Sequence, residues 1–332
     1  MSVIEKIQQI ATGFQASSIL AAGCELDLFT SLIQYPGLTE EEIAARLKLN
    51  LRALKILLAS LKFLGFLYKK ETNGWFVAND YQEILDSRHP QTMVPIICHW
   101  NSCQRQWSNL AWTVRSGVPG PKLCSINGSL GDYQAFINGM NSIAIQTADS
   151  LAEKLEQAGI LNFNNMLDLG GATGSYSKAF LNRNLNAQAV VFDLPLAINE
   201  AKRLLKDSPL EKRISLVEGN FYRDELPQRF DFIWVSAIIH QQNNETTRSM
   251  FRKCWQALTK GGKIAIRDVL LDEDRSGPQA AIFFAVNMLC NTAEGKVYTQ
   301  NEIFELLEEA GFKNPFLAVD SDDMSSVIVA EK

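Results

Sequence analysis

Leu167-Asp168-Leu169-Gly170-Gly171-Ala172-Thr173-Gly174 closes a short apolar run that begins at Met166 and opens a helical stretch. Strand, glycine-rich turn and helix in that order form the first half of a βαβ unit. Glycines in such a turn allow backbone angles closed to other residues and let a ligand approach the main chain. The spacing is not G-x-G-x-x-G: counted from Gly170, the third position is Ala172 and the sixth is Ser175. That departure weakens a dinucleotide reading. The next apolar run, residues 189–192, ends in Asp193, nineteen residues after Gly174. An acid at that strand end can accept hydrogen bonds from both hydroxyls of a ribose. Turn and acid together favour a nucleoside-type cofactor over a purely structural turn.

Outward from the turn, strand-like runs at 166–169, 189–192, 214–217, 230–239 and 263–270 alternate with helical stretches such as 197–206 and 246–258. This alternation predicts an α/β fold, a doubly wound Rossmann-like sheet with ligands at the carboxyl ends of its strands. Residues 316–319 and 327–330 read as a terminal strand pair with one antiparallel edge strand.

The whole chain has 332 residues, 46% hydrophobic and 21% charged, with a formal net charge of −5. That length suits two domains, and that charge gives no general attraction for nucleic acid or an anionic membrane. The longest apolar run, 280–286, is interrupted by Asn287 and falls short of the roughly 18 residues of a membrane span. Glu5 and Lys6 stand where a signal peptide would be apolar, and six cysteines show no repeated C-x-x-C spacing. A cytoplasmic protein with free thiols is the expectation.

Before the turn, Val3, Ile7, Ile10 and Phe14 recur at helical spacing. Thr39 and Glu42 form a capping box, and Asn50 can cap a helix over 51–64 that Gly65 ends. Runs at 66–68 and 75–77 flank an expected turn at Asn73-Gly74. Helix, turn, helix, hairpin is the outline of a winged helix. A DNA-reading helix needs a basic, polar face, yet 51–64 is mostly apolar, with Arg52, Lys55 and Lys62 its only cations. Residues 1–90 hold nine Lys and Arg against ten Asp and Glu. Such a module suits a subunit interface better than DNA. Trp100, Trp107 and Trp112 point to a packed helical connector, followed by a loop at 116–121 and a helix over 133–155. Cys98, His99 and Cys103 match no usual zinc spacing.

The chain resembles, over nearly its whole length, the S-adenosylmethionine (SAM)-dependent O-methyltransferases of the plant phenolic and hydroxyindole type and their bacterial relatives. The resemblance rests on the glycine motif, on Phe192-Asp193-Leu194-Pro195, and on Glu218-Gly219-Asn220-Phe221. It continues through Ala237-Ile238-Ile239-His240, Leu258-Thr259-Lys260-Gly261-Gly262, the stretch 288–299, and Glu309-Ala310-Gly311-Phe312. It implies a winged-helix-like dimerisation domain at 1–95, a helical connector contributing to the acceptor pocket at 96–160, and a SAM-binding domain at 161–332. Asp168, Gly170, Gly171, Gly174, Asp193, Asn220, Phe221 and Ser236 would bind the cofactor. Asn220 stands where the family usually has an Asp, and Ser236 where plant members have a Lys.

By the same resemblance His240 is the catalytic base and Asp268 its orienting acid. A phenol with pKa near 10 is a poor nucleophile at neutral pH, and an imidazole near 6.5 can take its proton during attack on the methyl. No metal is required. The family's second acid falls at Val297, and Gln241 and Gln242 replace the usual Asp-Trp pair. Phe136, Met140, Asn287, Met288 and Asn291 would line the acceptor pocket. The implied function is methyl transfer to a hydroxyl of a small aromatic molecule by a homodimer without nucleic-acid or membrane partners. Two alternatives remain open: the same scaffold and cofactor with chemistry other than methyl transfer, or a winged-helix ligand-sensing regulator.

Overall fold

Capping chemistry sets several helix ends in the amino-terminal unit, which comprises Met1–Arg105 and Lys122–Ile143. The computed structural model describes residues 1–70 and 74–332, so Asn73 of the expected turn lies outside the described residues. The unit begins with α1 (Val3–Thr12), α2 (Phe14–Glu25), α3 (Leu28–Gln34), α4 (Glu40–Leu47) and α5 (Leu51–Phe63). Thr39 and Glu42 exchange reciprocal hydrogen bonds at the start of α4, and Asn50 Oδ1 accepts from the Ala53 N–H at the start of α5. Each such cap is worth about 1 kcal/mol. β1 (Leu67–Lys69) and β2 (Trp75–Val77) pair antiparallel. Leu28, Phe29, Ile43, Leu58, Leu61 and Trp75 form the core. α1 contributes nothing to that core: Val3, Ile7 and Ile10 all stay exposed.

Residues 96–160, expected as a connector, are shared between two units. α6 (Val94–Trp107) lies mostly in the first, and α7 (Leu110–Ser116) lies in the second, which comprises Gln106–Pro121 and Ala144–Lys332. α8 (Gly128–Gln157) contributes to both. The expected packing of tryptophans is corrected here, because Trp100 and Trp112 are exposed on their helices.

The second unit contains β3 (Asn165–Leu169), α9 (Ser175–Arg183), β4 (Gln188–Asp193), α10 (Pro195–Leu205), β5 (Ile214–Glu218) and β6 (Phe230–Ser236). There follow α11 (Asn244–Ala257), β7 (Leu258–Asp268), β8 (Leu270–Leu271), α12 (Gln279–Asn291), β9 (Tyr298–Thr299), α13 (Gln300–Glu309), β10 (Lys313–Val319) and β11 (Ser326–Glu331). Seven strands make one sheet in the order β10-β11-β7-β6-β3-β4-β5, and β8 pairs with β9 apart from it. Strands β3 to β7 run parallel, buried between α8, α9 and α10 on one face and α11 and α13 on the other.

The antiparallel strand is not at the edge as expected. β11 is antiparallel to both β7 and β10 and lies between them, which leaves β10 on the rim pointing with the parallel strands. Side-chain chemistry explains the placement. Val327, Ile328, Val329 and Ala330 are all buried and need cover on both faces, whereas β10 keeps Lys313, Asn314 and Phe316 exposed.

Register aligns the strand ends that form the site. Leu169 pairs with Phe192 on one side and Val235 on the other, and Ser236 pairs with Arg267. At the opposite end, the Asp231 carboxylate accepts from the Asn164 N–H, the Asn164 side chain and the Asn165 N–H at 2.8, 3.1 and 2.8 Å. These bonds lock β3 to β6. Asp231→Ala is expected to lower stability by about 1–3 kcal/mol, seen as a lower denaturant midpoint with an unchanged m-value.

Candidate active site

The turn after β3 is shaped from below. Asp168 is 1% exposed, and its Oδ2 accepts from Ser177 Oγ at 2.6 Å. A Cβ on Gly171 would lie 2.4 Å from the Asp168 Cγ, so only glycine fits there. Gly170 has φ +69°, and a Cβ on it would meet Ile238 at 2.5 Å. Ala172 is also left-handed, at φ +47°, a conformation that costs a non-glycine residue about 1–3 kcal/mol. Its N–H donates to Asp193 Oδ2 at 2.8 Å, which offsets part of that strain. Burial pushes the Asp168 carboxyl up to about 7. Asp168 thus acts as a buried brace beneath the turn.

Asp193 stands half-buried at the end of β4, with Oδ1 accepting from the Leu194 N–H at 2.6 Å. Each oxygen therefore holds one amide and keeps acceptor capacity for another donor. Asn220 shapes the loop after β5: its Oδ1 accepts from the Tyr222 N–H, and its own N–H donates to Asp224. Phe221 is buried, its ring 3.4 Å from where a Gly170 Cβ would be. Lys253 Nζ fastens this loop by donating to the carbonyls of Phe221, Tyr222 and Asp224. Ser236 Oγ accepts from Arg267 Nη1.

The strand expected over 230–239 stops at Ser236. Ala237, at φ +57°, turns the chain, and His240 sits on a single 3-10 turn, Ile239–Gln241. His240 Nδ1 lies 2.8 and 2.9 Å from the two carboxylate oxygens of Asp268 at the end of β7. His240 is 6% exposed and Asp268 2%. Because Asp268 faces Nδ1 with acceptors, the proton belongs on Nδ1 and the lone pair on Nε2. The Val269 N–H donates to Asp268 Oδ1, the Lys296 N–H donates to the His240 carbonyl, and the Phe284 ring meets the imidazole edge to face at 4.7 Å. Val297 is buried in an apolar cluster with Val269, Leu271 and Ala281.

On α12, Asn287 Oδ1 accepts from Trp107 Nε1 at 2.9 Å and from Asn291 Nδ2 at 3.0 Å. Met288, one residue on, is buried. Phe136 and Met140 belong to α8 in the amino-terminal unit, where Phe136 packs against the His99 ring. Sequence reasoning missed Ser177, Lys253, Phe284 and the Trp107–Asn287 bond. The last joins residues 180 positions apart, beyond any local periodicity. Among the described residues, no group of three or more His, Cys, Asp or Glu is placed to hold a metal, and no single helix is long and apolar enough to cross a membrane.

Residues 110–313 match the O-methyltransferase domain, and residues 8–83 match the O-methyltransferase dimerisation domain. The chain belongs to the O-methyltransferase family. It is 31% identical to acetylserotonin O-methyltransferase of Gallus gallus over 324 residues, covering 92% of this chain and 91% of that one. It is 26% identical to the tetracenomycin polyketide synthesis 8-O-methyl transferase TcmO of Streptomyces glaucescens, covering 92% and 90%. In fold it is similar to human N-acetylserotonin methyltransferase, solved in complex with SAM, at 24% identity with a TM-score of 0.84, covering 100% and 98%.

The raised pKa of Asp168 has a definite sign. Between its ordinary 3.8 and about 7 the folded state keeps a proton that the unfolded state has released. Stability from this group is therefore full below pH 3.8 and is lost as pH rises toward 7. Asp168→Asn removes the titration. Denaturant titrations across that window are expected to show the unsubstituted protein losing stability relative to the variant as pH rises.

Proposed function

We propose that this enzyme transfers a methyl group from SAM to a hydroxyl of a small aromatic molecule, with His240 as general base. The observation that carries the reading is the buried His240–Asp268 pair, with both carboxylate oxygens on Nδ1. The donor set suits the cofactor. Asp193 has acceptor capacity for two hydroxyls, and the turn from Gly170 to Gly174 offers main chain without side-chain bulk. Phe221 and the Asn220 loop lie beside that turn, where they would meet a nucleobase.

When bound, SAM supplies an electrophilic methyl on a positively charged sulfur. His240 Nε2 takes the proton of the acceptor hydroxyl as the acceptor oxygen bonds to that methyl; the methyl–sulfur bond would break and S-adenosylhomocysteine would leave as the neutral thioether. Asp268 holds the imidazole in the required tautomer and stabilises the imidazolium that forms. The pair is shielded from water, which strengthens that stabilisation. A positioned base contributes about 10²–10⁴-fold, and alignment of the reacting atoms supplies much of the rest. Phe284 holds the imidazole in place, and Trp107, Asn287 and Asn291 form a polar patch on which an acceptor can be oriented.

We assign subunit pairing to the amino-terminal unit. Ile56 and Phe63 on α5 are exposed and, with Ala16, Ile19 and Ala59, line an apolar groove; Ile10 and Phe14 are exposed on α1 and α2. Phe63 is 90% exposed. A second copy of the chain would cover this surface, in keeping with the match to a dimerisation domain. The cations beside α4 are already engaged, Lys55 by Glu40 and Glu41 and Lys69 by Glu40, so nucleic acid is not the partner we propose. Six unpaired cysteines suit a reducing cytoplasm.

Two experiments test these readings. His240→Ala should retain S-adenosylhomocysteine binding while losing about 10²–10⁴-fold in turnover, assayed with a panel of phenols. Turnover within about threefold of the unsubstituted enzyme would sink the base assignment. Ile56→Asp with Phe63→Asp should shift sedimentation from dimer to monomer without loss of helix content, and a persisting dimer would move the interface elsewhere.

A further inference from the structure

The proposed chemistry leaves one buried cation unused. Arg267 stands on β7 immediately before Asp268, is 5% exposed, and pairs in register with Ser236 on β6. Alternation along the strand sends Asp268 toward His240 and Arg267 toward α9. There the guanidinium lies 5.1 Å from the centroid of the Tyr176 ring, in the first turn of the helix that follows the glycine turn. Nη1 donates to Ser236 Oγ at 3.2 Å, and Nε is buried without a hydrogen-bond partner. Among the described residues no carboxylate forms an ion pair with Arg267. Asp323, its acidic neighbour, is bound instead by Ser321 Oγ and the Ser325 N–H.

A guanidinium buried this far with no ion pair, and only the charge of the otherwise bonded Asp323 nearby, is a cost to the folded protein. Its position gives the cost a use. It lies at the carboxyl end of β7, in register with the end of β6 and against Tyr176 just after the glycine turn, the end of the sheet at which folds of this kind bind ligands. A planar guanidinium with open donors is suited to a carboxylate, which it can grip through two parallel hydrogen bonds.

We infer that Arg267 is the counter-charge for the carboxylate at the amino-acid end of bound SAM. The inference rests on the cofactor reading above, and the test separates the two. Calorimetric titrations of the full chain would compare S-adenosylhomocysteine with 5′-methylthioadenosine, which keeps the nucleoside and thioether but lacks the amino-acid end. Arg267→Met should weaken S-adenosylhomocysteine by about 10–100-fold, the loss expected for a charge-assisted hydrogen bond, and change 5′-methylthioadenosine by less than about threefold. Ligand-free thermal stability should hold or rise, since an unpaired buried charge has gone. Arg267→Lys should fall between, and it decides the matter by the same comparison if the Met variant does not fold. Unchanged affinity for S-adenosylhomocysteine, or an equal loss for both ligands, would overturn the role of Arg267. Failure of the unsubstituted protein to bind either ligand would overturn the cofactor reading itself.

Discussion

An acid buried directly beneath a glycine turn leaves no room for a side chain between them. Asp168 and Gly171 are in that relation, and the fit of one over the other sets the path of the chain from β3 into α9. The Ala172 N–H then reaches Asp193, which ties the turn to the end of β4. Gly170 packs against Ile238, and Ile238 belongs to the segment that carries His240. A contact below the sheet's upper rim is thus felt at each residue above it. The strained φ angles of Ala172 and Ala237 are held by these neighbours, as expected where a scaffold fixes a site against local preference.

Much of this was legible in the sequence because it is local. Strands buried on both faces read as apolar runs, and the Thr39–Glu42 capping box marked the start of α4. The glycine turn and Asp193 were visible as motif and spacing, whereas His240 and Asp268 were picked out by resemblance. Illegible features depend on contacts that chain separation hides. Phe284 against His240, Trp107 on Asn287 and Lys253 on three carbonyls arise only when the sheet brings distant segments together. The place of β11 was partly legible: four consecutive buried apolar residues ask for neighbours on both sides, which an edge strand lacks. A large apolar ring need not pack within its own chain: Trp100 and Trp112 remain on the surface.

The surroundings of the His240–Asp268 pair are apolar on the side of Val297. With Val297 in an apolar cluster beside Val269 and Leu271, the imidazole depends on one carboxylate rather than two. Asp268 meets that demand by offering both oxygens to Nδ1 while the Val269 amide restrains one of them. A second acid in so apolar a setting would carry a desolvation cost of its own. One well-held acid in a dry environment can orient the ring as firmly as two in a wetter one.

The insertion of β11 between β7 and β10 reaches further than topology. Asp268, the last residue of β7, is paired across the sheet with Ser326, the first of β11. The β10–β11 hairpin forms one side of the sheet, where β11 pairs with β7 and its residues 327–330 pack into the core on both faces. Partial opening of such a flanking hairpin takes less free energy than global unfolding. Once it opens, the end of β7 loses its lateral support and Asp268 its fixed place beside His240. The buried run 327–330 opposes that opening, so the packing of β11 helps to hold Asp268 where it is.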